Sequence, residues 1–442
     1  MSDRLAFIDQ ATFLSLRASG RAQLVQYVWV YTHPVDMAAL RRFHHDIGHG
    51  FAGRLIEPSA LPFGRHRWVA ASGPATPFDV AEMRPPSALG TWIEERSQLP
   101  VDPIHGPGWH LGVLPMTDGT TAVTLVASHC LLDHGASVRT LTDAVNGVRR
   151  DFGYGPARSR TRLAAMVSDT RQMVRDLPEL GRTVVTAAKF AYRSRREISS
   201  SRGSHRAESH GVDAPLVLPA VSAIVDVRDW DERASELSGN GYSLLAGFAA
   251  RLGQRLGRVR AGDGAVTLLI ALSDRGGDED ERGNAMKIAT AIVDPGPVTS
   301  DLTAARAAVK DALTSLRTGP DERHALLPIT PFVPVRAVRR TADVIFGDLP
   351  VSCSNLGDVP SEMARADGTP AEYMLFRPVD QGVTRTALEQ AGGQLVVAAG
   401  RIGGSVSIGV VGYEVGAENT REWLADRVVR TLADVGVKGT II

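Results

Sequence analysis

Apolar residues recur at two spacings along this chain, every second position in some stretches and every third or fourth in others. Residues 26–31 alternate like a strand. Residues 109–115 and 121–128 are apolar and rich in β-branched side chains, with the turn-forming pair Asp118-Gly119 between them, so this stretch predicts a hairpin. Helical spacing places Met37, Leu40, Phe43 and Ile47 on one face behind Asp36, a residue type that caps helix starts. A second helix over 137–148 carries Val138, Leu141, Ala144 and Val148 on one side. The same alternation of types returns further on: strands over 220–227, 265–272, 344–354, 395–401 and 405–413, and helices over 243–256, 301–316 and 422–435. Between the two series lie helical patterns over 163–180 and 183–192, then a Ser, Arg and His-rich tract that is too polar to bury. The pattern predicts an α+β protein with a first half at 1–156, a basic helical linker at 157–212 and a second half at 213–442.

Composition fits two cores. A chain of 442 residues with 43% hydrophobic and 22% charged residues can fill two domains of ordinary size. Formal net charge is zero, which gives no global electrostatic reason to expect nucleic acid as a partner. The two cysteines, Cys130 and Cys353, have neither metal-ligand nor disulfide-framework spacing, and no metal is expected; Cys130 reads as a core residue. A reducing cytoplasm fits this usage. Asp3, Arg4 and Asp9 interrupt the first residues, unlike a secretory signal, and no window of about 18 uncharged apolar residues suggests a spanning helix. Lys is scarce beside Arg, as in a GC-rich bacterial genome. Within the linker, Phe190, Ala191 and Tyr192 adjoin Arg193, Arg195 and Arg196; this fits peripheral contact with the inner face of a membrane as well as a solvated basic linker.

The chemistry concentrates just after the second hairpin strand, in Ser128-His129-Cys130-Leu131-Leu132-Asp133-His134-Gly135. A His at the end of a core strand, turning into a helix, can be exposed to a channel while its backbone is held by the core. Imidazole titrates near neutrality, so His129 can take a proton from a hydroxyl or amine. The spacing alone favours a hydrogen-bonded structural His.

This His-x-x-x-Asp segment resembles the signature of the acyl-CoA-dependent acyltransferase superfamily. Its members include chloramphenicol acetyltransferase, peptide-synthetase condensation domains, polyketide-associated acyltransferases and wax ester synthase/diacylglycerol acyltransferases. Four further segments resemble the superfamily in order: Pro107-Gly108-Trp109 with the hairpin, Ser273-Asp274-Arg275 followed by Gly283-Asn284, Ser352-Cys353-Ser354-Asn355, and the glycine-rich hairpin at 400–409. The resemblance implies two chloramphenicol acetyltransferase-like halves forming a V-shaped cleft with a central channel. It implies His129 as general base, Ser354 and Asn355 as oxyanion or channel residues, an Asp133–Arg275 structural pair, and Asn284 as an anchor of the crossover loop. The implied reaction moves an acyl group from a thioester, acyl-CoA or an acyl carrier protein, to a hydroxyl or amine acceptor of lipid or polyketide type, in lipid metabolism and without a resident cofactor. A stand-alone condensation-type domain using carrier-protein thioesters, and a catalytically silent lipid- or partner-binding member, fit the same segments. Three departures bear on this: Ser128 replaces the first His of many relatives, His134 stands where the motif has Gly, and only Asn240-Gly241 lies where wax ester synthases have an Asn-Asp pair. A side chain at position 134 is expected either to need an unusual backbone angle or to occupy the channel.

Overall fold

The computed structural model describes residues 3–71, 76–193, 214–318, 324–332 and 349–442. The first lobe is built on a five-stranded sheet. Its central strand, β6 (Thr121–Ser128), lies between β1 (Ala22–Tyr31) and β5 (Trp109–Pro115), which is followed outward by β4 (Phe78–Val80). All eight residues of β6 are buried, which is why its sequence is continuously apolar or small rather than alternating. The fifth strand of the sheet comes from far along the chain, and a separate two-stranded ribbon in this lobe pairs β2 (Arg54–Glu57) with β3 (Arg67–Ala70). Its helices are α1 (Phe7–Ser19), α2 (Met37–Ile47), α3 (Leu89–Ser97) and α4 (His134–Val145). Asp36 caps α2 as expected, accepting from the amides of Ala38 and Ala39 at 2.8 and 3.0 Å.

A long helix, α5 (Arg162–Arg193), leaves this lobe as one element where the sequence suggested two. Its start is tied down: Asp169 is buried and meets Arg4 at 2.8 Å and Arg160 at 3.0 Å, while Asp176 meets Arg65 at 3.3 Å.

The second lobe holds a seven-stranded sheet of β7 (Ala220–Asp226), β8 (Val266–Ser273), β9 (Met286–Val293), β10 (Val351–Asp358), β12 (Gln394–Ile402), β13 (Ser405–Tyr413) and β14 (Thr440–Ile441), in the order β14-β7-β13-β12-β10-β8-β9. Its helices are α6 (Val227–Glu236), α7 (Gly241–Arg255), α8 (Thr303–Thr318), α9 (Arg385–Gln390) and α10 (Arg421–Asp434). Helix α7 buries Leu244, Leu245, Phe248, Ala249 and Leu252 against this sheet, and Asn240 and Ser243 form a reciprocal capping box at its start.

One strand breaks the simple division into halves. β11 (Tyr373–Gln381) follows β10 in sequence but pairs antiparallel with β1, in the first lobe's sheet. The division at 1–156, 157–212 and 213–442 therefore does not follow the sheets. β11 also binds the lobes together, because the Phe376 amide donates to Ser407 Oγ of β13 at 3.2 Å. Gly409 makes room for that crossing: a Cβ there would lie 2.2 Å from the Phe376 carbonyl oxygen. Among the described residues, no helix is long and apolar enough to cross a membrane.

Candidate active site

β6 ends at Ser128, and the His129 amide continues its pairing with β1 by donating to the Gln23 carbonyl at 2.9 Å. The chain then turns, with the Leu131 amide on the Ser128 carbonyl, and enters α4 through Asp133. The Asp133 carboxylate caps α4 by accepting from the Ala136 amide at 2.8 Å. It also reaches the other lobe, taking Arg275 Nη2 at 2.7 Å on Oδ1 and the Ala285 amide at 2.7 Å on Oδ2. The Asp133 amide donates to the Gly283 carbonyl at 2.8 Å, so residues 283–285 are clasped against the His turn.

Asn284 is more than an anchor of that loop. Its Nδ2 donates to the His129 carbonyl at 3.0 Å and to Asp9 Oδ1 at 3.2 Å, which spends both amide hydrogens. Its Oδ1 therefore faces His129 Nδ1, 2.8 Å away, and accepts the proton there. The consequence is a fixed tautomer: Nδ1 carries the hydrogen and Nε2 keeps its lone pair. The imidazole is half-buried, and Nε2 has no hydrogen-bond partner among the described residues.

Asp9, on α1, is wholly buried beneath Asn284 and accepts from the backbone amides of Gly283 and Asn284 at 3.1 and 2.6 Å. Burial pushes its carboxyl up to about 6, against the opposing pull of the Arg54 charge and of these hydrogen bonds. Arg54 is itself buried, stacks 3.7 Å over the Trp68 ring, and donates to the carbonyls of Glu281 and Leu131. In sequence, Asp9 registered only as a charge near the start of the chain.

His134 corrects one expectation. It is the first residue of α4 and is not among the residues with positive φ, so its side chain imposes no unusual backbone angle. Its Nδ1 lies 3.4 Å from the Tyr27 hydroxyl, its ring meets the edge of Phe376, and it interacts with the Leu356 backbone from β10. Burial pushes the imidazole down to about 4, so it is neutral at physiological pH. It makes no hydrogen bond to His129 among the described residues.

Ser354 and Asn355 are brought to different places. They are consecutive on β10, whose side chains alternate in direction, so they cannot line one face together. Asn355 faces a cavity of about 250 Å³ in the second lobe, bounded by Trp230, Tyr242, Leu245 and Arg401, and its Oδ1 accepts the Gly357 amide at 3.0 Å. Ser354 points to the opposite side of the sheet, away from the core packed on α7. Cys130 is buried in the first lobe, and burial pushes its thiol up to about 12, which suits a core residue rather than a nucleophile.

No protein-family model and no curated protein matches this sequence. Solved structures match its shape. The wax ester synthase/diacylglycerol acyltransferase from Marinobacter aquaeolei VT8 is 14% identical over 98% of both chains, with a TM-score of 0.57. The first condensation domain of the calcium-dependent antibiotic synthetase, solved with a substrate analogue, is 13% identical over 100% of this chain and 99% of its own, with a TM-score of 0.58. The trichothecene 15-O-acetyltransferase from Fusarium sporotrichioides is 11% identical over 98% of this chain and 94% of its own, with a TM-score of 0.59. At such identities the likeness establishes the fold: this chain has the two-lobed α+β fold shared by these acyltransferases and condensation domains.

Proposed function

We propose that this chain is an acyltransferase that moves an acyl group from a thioester to a hydroxyl or amine, with His129 as general base. The observation that carries the reading is the 2.8 Å contact of His129 Nδ1 with Asn284 Oδ1, whose Nδ2 is spent on the His129 carbonyl and Asp9, which assigns the hydrogen to Nδ1 and leaves Nε2 without a partner among the described residues. An Nε2 lone pair takes the acceptor's proton as its oxygen or nitrogen attacks the thioester carbonyl. The tetrahedral intermediate collapses by breaking the C–S bond, and Nε2–H returns the proton to the departing thiolate. Ser354 is the side chain we assign to the oxyanion, since Asn355 is turned to the other face and spent on Gly357. The donor is a co-substrate, acyl-CoA or an acyl carrier thioester; the acceptor is of lipid or polyketide type.

The test is direct. Purified protein is incubated with panels of acyl-CoA and acyl carrier thioesters against hydroxyl and amine acceptors, and acylated products are identified by mass spectrometry. Thiol release with product formation is expected, falling by ~10² or more in His129→Ala, the amount a positioned base contributes. A folded His129→Ala protein that retained the full rate would remove the base from the mechanism, and wild-type protein inert towards every donor would favour the binding role.

A peripheral membrane site is supported by one specific observation. On α5, Leu163, Met166, Val167, Val174 and Leu177 recur at helical spacing and are all exposed. Arg162, Arg171 and Arg175 are exposed beside them, while Asp169 and Asp176 point inward to arginines of the first lobe. An exposed apolar stripe flanked by cations suits the interface of an anionic bilayer. Of the residues whose sequence suggested membrane contact, Phe190 to Arg193 with Arg195 and Arg196, the last two lie outside the described residues.

A further inference from the structure

We propose that Asp9 is a positioning residue for the His129 base, setting the imidazole tautomer through Asn284. This rests on the reading of His129 as the base. The geometry forms a one-way chain of donors and acceptors. An ionised carboxylate can only accept, so Asn284 must present Nδ2 rather than Oδ1 to Asp9 Oδ1, 3.2 Å away. With Nδ2 on that side and also on the His129 carbonyl, Oδ1 is the only group left for His129 Nδ1. A flipped carboxamide would offer N–H to Nδ1, and the base lone pair would then be spent on the wrong nitrogen. The His129 carbonyl opposes that flip, and the Asp9 carboxylate adds a second, charged acceptor against it. It is anchored for the task by the amides of Gly283 and Asn284, so the carboxylate cannot turn away without leaving buried donors unpaired.

A purely structural role, countercharge to the buried Arg54, is the alternative. The groups facing Asp9 are the Arg54 guanidinium, the Cys130 thiol, the two backbone amides and the Asn284 carboxamide. Arg54 makes no hydrogen bond to Asp9 among the described residues; its own hydrogen bonds run to the carbonyls of Glu281 and Leu131. Both oxygens of Asp9 are instead occupied by residues 283 and 284. Burial keeps the carboxyl up at about 6 in spite of these hydrogen bonds, so below about pH 6 it gains a proton and can donate, and the constraint on Asn284 is released.

The experiment is nitrogen-15 NMR of the imidazoles in full-length protein near pH 7.5, with the His129 resonances assigned through His129→Gln. Wild type is expected to show Nδ1–H and unprotonated Nε2 at His129; finding Nε2–H there overturns the proposal without any variant. Asp9→Asn is expected to mix the two tautomers, and to lower kcat by about tenfold or more with little change in KM. Asp9→Glu keeps the charge beside Arg54 but displaces the oxygens by one methylene, so it should fold and still lose the single tautomer. Should either variant fold and keep pure Nδ1–H, Asp9 serves only as countercharge and the proposal fails. The tautomer is read without turnover, so inactivity of the wild type towards all thioesters would defeat the acyltransferase reading while leaving this measurement intact.

Discussion

Asp133 and Arg275 lie 142 positions apart in sequence and meet at 2.7 Å, each with 9% of its side chain exposed. The pair is one part of a larger clasp, because the same carboxylate also holds the Ala136 and Ala285 amides. The ends of α4 and β9 are thereby tied to a single side chain across the lobe boundary. Such a group stabilises one arrangement of the His129 turn more than it stabilises folding as such, since burying both charges carries a desolvation cost.

Removing one partner therefore exposes that cost. Arg275→Met leaves a buried carboxylate without its cation and should destabilise the protein by ~3–5 kcal/mol, read as a shift in the urea midpoint. Asp133→Asn should lower both stability and acyl transfer, because it loses the ion pair and loosens residues 283–285. A double variant, Asp133→Asn with Arg275→Met, should be less destabilised than the sum of the two singles. Strict additivity would mean that the two side chains act independently.

Much of this frame was legible in sequence where local chemistry and tertiary burial agree. The β5–β6 hairpin carries its turn residues and β-branched run within one stretch, and its predicted bounds match the structure. The Asp133–Arg275 pair was reached through resemblance, not through any local signal. β11 was missed: Arg377 and Pro378 interrupt its apolar run, and its partner β1 is more than 340 residues away. The structure resolves both features, since Arg377 is buried on Gln26 at 2.8 Å and β11 is an edge strand, where a residue without an amide hydrogen is tolerated. Asp9 was invisible as a site residue for the same reason, its partner Asn284 being 275 positions away.

The opposed directions of Ser354 and Asn355 separate two roles that the sequence placed together. If Ser354 donates to the oxyanion, Ser354→Ala should lower kcat by ~10² with unchanged thermal stability, as expected for the loss of one preorganised donor. Asn355→Ala should instead cost ~1 kcal/mol through the lost Gly357 hydrogen bond, with a smaller effect on kcat. Equal kinetic losses from the two variants would contradict the assignment.

The exposed stripe on α5 predicts salt-sensitive association with lipid. Wild-type protein should cosediment with vesicles containing phosphatidylserine and not with neutral phosphatidylcholine vesicles, and the association should weaken as salt rises. Each Arg near an anionic surface contributes ~1 kcal/mol, so Arg171→Gln with Arg175→Gln should weaken binding by roughly 30-fold. Val174→Ser with Leu177→Ser should weaken it as well by removing buried apolar area. Failure of the wild type to sediment with anionic vesicles would leave the stripe to another partner.

His134 separates an effect on stability from an effect on chemistry. Burial holds its imidazole near 4, below the ordinary value of 6.5, so between these two pH values the unfolded chain binds more protons than the folded one. The stability this group contributes is present above about pH 6.5 and is lost as pH falls towards 4. His66 and His110 are also pushed down to about 4 by burial, so they add to the same loss. Burial lowers His44 and His49 in the same direction, while the raised Asp9 carboxyl opposes them below about pH 6; the fall in melting temperature of His134→Gln over that window should therefore be smaller than that of the wild type. Acyl transfer should respond differently: His134 is held by Tyr27 and the Leu356 backbone and does not hydrogen-bond His129, so the base does not depend on it. His134→Gly should keep kcat within about threefold of wild type while melting earlier, because a glycine at the first turn of α4 leaves the Tyr27 hydroxyl without this partner. It should also accept bulkier acceptors, read as a lower KM for them. Loss of acyl transfer by ~10² in a folded His134→Gly protein would instead make His134 part of the chemistry.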